Sequence, residues 1–247
     1  MAQVAVILPA AGQSSRFGGI EKKPFVSLDG RPVWQRAAEL FWNRPDVSRV
    51  YVVVGPDDLD EFRARFGHML AFTNAQVVTG GAERFESVAN ALDVVPDDVD
   101  LVAIHDAVRP LTPLRLVDAV FRAALEHGAA LLAVPLADTL KKVDPKTMTL
   151  VDTVPRAGLW KAQTPQVFRR DWIVEAYAKR ALFGGTITDD CQLVEALGHA
   201  VHVVEGSAAN FKITTKEDLQ LAESILQARV PKTVERPKLA FDEEAKW

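Results

Sequence analysis

The chain has 247 residues, 48% of them hydrophobic and 25% charged, which fits one large or two small α/β domains of a soluble globular protein. A formal charge of −4 argues against a general nucleic-acid binder, which needs a basic face, so any phosphate site has to be a local basic pocket. The single cysteine, Cys191, excludes an intrachain disulfide and suits a reducing cytoplasm, and neither a signal peptide nor a membrane span is expected.

The first element is a short apolar strand, Val4–Leu8, running into Pro9-Ala10-Ala11-Gly12, with Arg16 and Lys23 beyond it. Small residues at a strand end let a ligand approach bare backbone N–H groups. Two nearby cations add charge that pairs with a polyphosphate. This is not a dinucleotide fingerprint, because Ser14 stands where the next glycine belongs and the second strand ends Val53-Val54-Gly55 without a carboxylate. Nor is it a P-loop, since no Gly-Lys-Ser/Thr triplet occurs.

Further apolar runs follow at Val50–Val54, Ala75–Thr79, Leu101–Ile104 and Ala129–Val134. Most are continuous rather than alternating, as in strands buried on both faces of a largely parallel sheet. Helical patterns lie between them at Pro32–Trp42, Asp57–Phe66, Glu83–Val94 and Pro113–His127. In the last, Leu116, Val120, Ala123, Ala124 and Leu125 form an apolar side, and Pro113 sits in the first turn. The alternation predicts a three-layer α/β/α sandwich around a mostly parallel, twisted, Rossmann-like sheet.

Gly80-Gly81 ends the Ala75–Thr79 strand and opens a helix on which Arg84 and Ser87 share a face near the N-terminus, where anions are favoured. His105-Asp106-Ala107-Val108-Arg109-Pro110 follows the Leu101–Ile104 strand. Asp106 therefore lies beyond a strand's carboxyl end, where open α/β sheets bind ligands. One carboxylate there can hold Mg²⁺ together with substrate phosphates, or it can cap the turn. Arg109 can grip a phosphate as a fork. His105 is expected to pack against the sheet, and the five histidines show no zinc spacing.

The regularity breaks at about Asp138–Leu159, where two β-prone pieces flank Asp144-Pro145-Lys146. This reads as a hairpin arm that leaves the main sheet. It is too small to make a core of its own, so it is expected to pack on a second subunit. The core resumes with Pro165–Phe168, helices at Asp171–Leu182 and Asp189–Leu197, a strand at Val201–Val204 and a final helix at Lys216–Ala228. Thr188 reads as a helix cap ahead of acids in the first turn. Lys212 reads as a lysine inside an apolar strand, Phe211–Thr214, facing a pocket or an exposed edge. Cys191 reads as core. Residues 1–230 read as one domain and 231–247 as a charged, loosely held tail.

Taken together the motifs fall in the order of one family. They are Pro9-Ala10-Ala11-Gly12, Arg16, Lys23, Gly80-Gly81-x-Glu83-Arg84-x-x-Ser87, His105-Asp106-Ala107-Val108-Arg109-Pro110, Asp138-Thr139, Arg156-x-Gly158-Leu159-Trp160, Gln163-Thr164-Pro165-Gln166, Thr186-Ile187-Thr188-Asp189 and Asn210-x-Lys212-Ile213-Thr214. Over about residues 3–228 the chain resembles the 2-C-methyl-D-erythritol 4-phosphate cytidylyltransferases of the non-mevalonate isoprenoid pathway. The resemblance implies a nucleotidyltransferase fold, a homodimer with exchanged arms, and Mg²⁺-dependent transfer of CMP from CTP to a sugar-alcohol phosphate.

The resemblance also implies roles. Arg16 and Lys23 hold the triphosphate and stabilise the transition state, and Lys212 stabilises the α-phosphate region. Pro9, Ala10, Ala11, Gly12, Gly81, Arg84, Ser87, Asp106 and Ala107 bind CTP, with Gly81 and Ser87 shaping a pocket for a pyrimidine. Asp106 holds Mg²⁺. Asp106, Arg109, Thr139, Arg156, Thr164, Thr188 and Lys212 surround the acceptor, Thr139 and Arg156 from the partner's arm. Two departures stand out: Lys23-Pro24-Phe25 replaces the usual Lys-Gln-Tyr/Phe, with Lys22 a competitor for Lys23, and Val108 replaces the usual second alanine. A ribitol 5-phosphate cytidylyltransferase and an inactive dimeric nucleotide-binding protein are the alternatives.

Overall fold

The computed structural model describes residues 2–11, 22–184 and 187–229. Gly12, Arg16 and the expected tail lie outside the described residues. In chain order the elements are β1 (Val4–Pro9), β2 (Ser27–Leu28), β3 (Arg31–Pro32), α1 (Val33–Ala38), β4 (Val47–Val54), α2 (Leu59–Leu70), β5 (Ala75–Thr79), α3 (Arg84–Leu92), β6 (Leu101–Ile104) and α4 (Leu114–His127). Then come β7 (Ala129–Pro135), β8 (Leu140–Val143), β9 (Leu150–Val154), β10 (Trp160–Arg169), α5 (Arg170–Ala178), α6 (Cys191–Ala196), β11 (His202–Glu205) and α7 (Lys216–Arg229). None of the described helices is long and apolar enough to cross a membrane.

Seven strands form one sheet in the order β11-β7-β10-β6-β1-β4-β5. All neighbours are parallel except β10, which runs antiparallel to both β6 and β7. The continuous apolar runs have a simple cause. Successive strand residues point to opposite faces, and both faces are covered. Val4, Val6 and Leu8 of β1 pack with the side chains of α1, α2 and α4. Ala5 and Ile7 pack on the other side with α3, α5 and α6. The expected three layers are therefore present. Cys191 is buried in the second of these layers, and burial pushes its thiol up, as suits a core residue.

Several boundaries move. The Pro32–Trp42 helix is cut to α1, and past Ala38 the chain continues as a turn in which Phe41 and Trp42 N–H both bond Ala38 O. The Asp57–Phe66 helix runs on to Leu70, whose side chain is buried with Phe62 and Phe66. The strand expected from Pro165 starts earlier, at Trp160, because β10 pairs with β7 from Trp160 opposite Pro135 onward. Phe211–Thr214 is not a strand. Among the described residues, its only backbone bond to a neighbouring segment is Ile213 N–H to Val108 O, at 2.9 Å. Asp218 then gathers Thr214 and Thr215 into the start of α7, accepting from both backbone N–H groups and from the Thr214 hydroxyl.

The hairpin arm is present as expected. Strands β8 and β9 pair antiparallel, Leu140 opposite Val154. Asp144 Oδ1 accepts from the N–H groups of Lys146 and Thr147 and closes the turn. The two strands form a sheet of their own. Val143, Leu150 and Val151 are exposed on it, Leu150 at 66%.

Candidate active site

The site gathers at the carboxyl ends of β1, β5 and β6. A cavity of about 230 Å³ opens there, and its walls include Pro9, Ala10, Ala11, Lys23, Gly81 and Ser87. Small residues are needed on this wall. A Cβ on Gly80 would stand 2.8 Å from both Ala11 Cβ and Ser87 Oγ. A Cβ on Gly81 would stand 2.4 Å from Glu86 Cβ. The Gly81 N–H donates to Ser87 Oγ at 3.1 Å, so the glycine turn and the first turn of α3 form one surface. Lys23 lines this cavity, whereas Lys22 turns to Asp58 Oδ2 at 2.6 Å.

A second cavity of about 250 Å³ adjoins the first and shares Arg84, Asp106 and Lys212 with it. Arg109, Thr164, Gln166 and Thr188 are among its other walls. Asp106 sits at the junction, only 7% exposed. Its Oδ2 receives Arg109 Nε at 3.1 Å and Lys212 Nζ at 3.2 Å, and its Oδ1 faces Arg84 Nε at 3.6 Å. Burial opposes a charged carboxylate, but Lys212, Arg84 and Arg109 outweigh it and hold Asp106 well below the usual carboxylate range. Lys212, Arg84 and Arg109 thus converge on one carboxylate where the two cavities meet, so cationic groups face the space that a phosphate would enter.

Behind this junction lies a buried polar scaffold. His105 is fully buried. Its Nε2 lies 3.1 Å from Arg109 O, which can only accept, so the ring proton is on Nε2. Its Nδ1 then accepts from the Thr164 hydroxyl at 3.0 Å, while Thr164 Oγ1 accepts from the Asp106 N–H at 3.0 Å. Burial lowers the His105 pKa to about 4, so the ring is neutral. His105 thus does more than pack against the sheet: it ties the Asp106 loop to β10. Asn210, also fully buried, donates to Thr164 O at 2.8 Å and accepts from the Thr112 hydroxyl at 2.7 Å. Its own backbone carbonyl accepts from Arg109 Nη1 at 2.8 Å.

Arg84 is held from the other side. Nη1 and Nη2 donate to the two oxygens of Asp190 at 3.1 and 2.7 Å, and the Tyr177 hydroxyl donates to Asp190 Oδ1 at 2.5 Å. Burial acts against the Arg84 charge, yet Asp190 and Asp106 raise its pKa further. Burial next to Asp190 pushes the Tyr177 hydroxyl well above its ordinary range.

Most of the sequence-derived residues meet here: Pro9, Ala10, Ala11, Lys23, Gly81, Arg84, Ser87, Asp106, Arg109, Thr164, Thr188 and Lys212 all line one cavity or both. Ala107 instead sits in the core, fully buried. Thr139 and Arg156 are exposed at the two ends of the arm and line neither cavity. The Thr188 hydroxyl does not cap the helix. Asp189 Oδ1 receives the Gln192 N–H instead, and the Thr188 N–H donates to Gln192 Oε1. The reason is register: α6 begins only at Cys191, so Asp189 is closer to its free N–H groups. Asp190, Tyr177 and the scaffold roles of His105 and Asn210 are not apparent in sequence. The acid pair before α6 was the only signal for Asp190, and capping explained it equally well.

Among the described residues no group of three or more His, Cys, Asp and Glu side chains can hold a metal ion. The fit to Mg²⁺ rests on Asp106, whose Oδ1 has no hydrogen-bonding partner among the described residues, the nearest cation being Arg84 Nε at 3.6 Å. One carboxylate suffices for an ion whose other ligands are phosphate oxygens and water.

Known proteins share this architecture and sequence. Residues 4–228 match the family model described as IspD, 2-C-methyl-D-erythritol 4-phosphate cytidylyltransferase. A protein of that name from Rhodopirellula baltica is 43% identical over 236 residues, covering 91% of this chain and 95% of its own. One from Frankia casuarinae is 44% identical, covering 91% and 81%. The crystal structure of the Thermus thermophilus enzyme of that name superposes with a TM-score of 0.72 at 32% identity, covering 90% of this chain and 98% of its own. The synthase from Anaerococcus prevotii superposes with a TM-score of 0.77 at 28% identity, covering 92% and 96%. With matched sequence, fold and site-bearing segments, the chain belongs to the 2-C-methyl-D-erythritol 4-phosphate cytidylyltransferase family.

Proposed function

We propose that the protein transfers CMP from CTP to 2-C-methyl-D-erythritol 4-phosphate, giving 4-diphosphocytidyl-2-C-methyl-D-erythritol and pyrophosphate. Family membership supports the reaction. One structural observation carries it here: two adjoining cavities share Arg84, Asp106 and Lys212. A nucleotide and an acceptor seated in them would meet over that cluster.

The chemistry needs charge more than proton transfer. The acceptor phosphate has a second pKa of about 6, so it is already largely dianionic at neutral pH. One of its oxygens attacks the α-phosphorus in line, the bond to the bridging oxygen breaks, and pyrophosphate leaves with the electron pair. No general base is required, which suits a neutral His105 whose two nitrogens are both engaged. The barrier is the approach of two anions. Lys23, Arg84, Arg109 and Lys212 lower it by standing ready around the reacting phosphates. Mg²⁺, carried mainly by the triphosphate and touched by Asp106, would add further neutralisation.

The arm supports a homodimer with exchanged arms. Thr139 and Arg156 are exposed, away from both cavities of their own chain, and exposed Leu150 and Val151 offer an apolar face on the arm. Each active site would then be completed by the partner's Thr139 and Arg156. A cytoplasmic location is consistent with a lone buried thiol.

The test is pyrophosphate release from CTP with 2-C-methyl-D-erythritol 4-phosphate or ribitol 5-phosphate, with and without Mg²⁺. Turnover is expected with the first acceptor and Mg²⁺. Faster turnover with ribitol 5-phosphate would overturn the acceptor assignment, and full activity in chelator would overturn the metal.

A further inference from the structure

Asp190 is fully buried, and a buried carboxylate is unfavourable unless it is paired and hydrogen-bonded. Here it is held on every side. Arg84 approaches as a two-bonded fork, Tyr177 donates its hydroxyl, and the Asp190 N–H donates to Gln166 Oε1 at 3.1 Å. Arg84 and Asp190 lie 106 residues apart in sequence. They join the first turn of α3, on the wall of the first cavity, to the Thr188–Asp190 segment, on the wall of the second. An apolar pair of the same volume would stabilise such a junction as well or better. What an apolar pair could not do is aim a guanidinium.

The aim is specific. The fork occupies the far edge of the guanidinium, its two terminal nitrogens. The edge bearing Nε is left facing Asp106 at 3.6 Å, longer than a hydrogen bond. That side chain is 31% exposed and lines both cavities. Without the fork, a long flexible side chain would sample several rotamers, and ordering it during the reaction would carry an entropic cost. With the fork the charge is fixed before substrates arrive.

We infer that Asp190, seconded by Tyr177, is a positioning residue for the transfer reaction: it locks Arg84 as a fixed cation at the seam between the two cavities, acting through Arg84 and touching neither substrate. This rests on the cytidylyltransferase reading and names a further residue on which it depends. The prediction is a selective one. Asp190→Asn keeps the shape and loses the charged fork, so kcat should fall about 10-fold while KM for CTP shifts less than about 3-fold. In an Arg84→Ala background the same substitution should cost less than about 2-fold, because its route of action is gone.

The experiment is a double-mutant cycle of Arg84→Ala and Asp190→Asn read by kcat and KM, together with ¹⁵N relaxation of the Arg84 Nε–H in substrate-free protein. The Nε–H should be as ordered as the backbone in the parent and mobile in Asp190→Asn. Independent, multiplying losses in the cycle, or an equally rigid Nε–H in the variant, would overturn the inference. Should Asp190→Asn not fold, Tyr177→Phe takes its place, with a kcat loss of about 3-fold that vanishes in the Arg84→Ala background; an unchanged kcat with a rigid Nε–H would then overturn it. The relaxation reading requires no turnover. A parent protein inactive with CTP and acceptor would therefore refute the reaction and leave the positioning of Arg84 separately decided.

Discussion

The charge cluster around Asp106 and the β8–β9 arm are built on opposite principles. In the cluster every charge has a partner, from four separate segments of one chain, over a scaffold of His105, Thr164 and Asn210 with little access to solvent. In the arm, Thr139, Arg156, Leu150 and Val151 face outward and the two strands bond mainly to each other. The chain alone sets the cations around Asp106, whereas the arm is a paired hairpin whose Val143, Leu150 and Val151 stay exposed.

The sharpest way to break the cluster is Asp106→Asn. Three cations would lose their shared anion, and kcat/KM should fall about 10²–10³-fold, the scale for one preorganised electrostatic contact. Near-normal turnover by the variant, with an unchanged circular dichroism spectrum, would show that Asp106 is only a structural counter-charge. Comparable in size is Lys23→Ala, also expected at about 10²–10³-fold. Lys22→Ala should cost only a few-fold, since its ammonium is turned to Asp58 and away from the cavity. The reverse ranking, measured by initial rates at saturating acceptor, would reassign the working lysine.

The scaffold makes a pH prediction. His105 is lowered from 6.5 to about 4 by burial. Between those values the unfolded chain carries a proton there that the folded chain lacks, so stability rises with pH across the window and is lost as pH falls from about 6.5 toward 4. The gap corresponds to about 3 kcal/mol. Urea unfolding at pH 7 and pH 4.5 should show the loss in the parent and a shallower one in His105→Gln. Identical slopes would mean that the ring is not the titrating group.

The arm gives the smallest and most diagnostic effect. An Arg156→Ala chain mixed by co-expression with a Lys23→Ala chain should recover about a quarter of parental activity, since half the dimers are mixed and each carries one intact site. If mixed dimers form and stay inactive, Arg156 serves its own chain and the arms are not shared.

How much of this the sequence determined follows from range. Local periodicity located β1, β4, β6 and β7, because a strand covered on both faces needs an unbroken apolar run. The turn at Asp144 was legible for the same local reason, and the ordered motifs were enough to indicate the family. Where the sequence reading failed, distant partners decided. Phe211–Thr214 is a loop because the segment it meets, 105 residues back, offers Ile213 N–H only the carbonyl of Val108 and no paired strand edge. The Thr188 hydroxyl gave up its capping role because α6 starts at Cys191. Asp190 read as a helix-start acid until the fold set it against Arg84 and Tyr177. Sequence fixes what each segment can be through its own period and turn chemistry. Which charges meet in the interior depends on chain closure over a hundred residues, and only the tertiary structure supplies that.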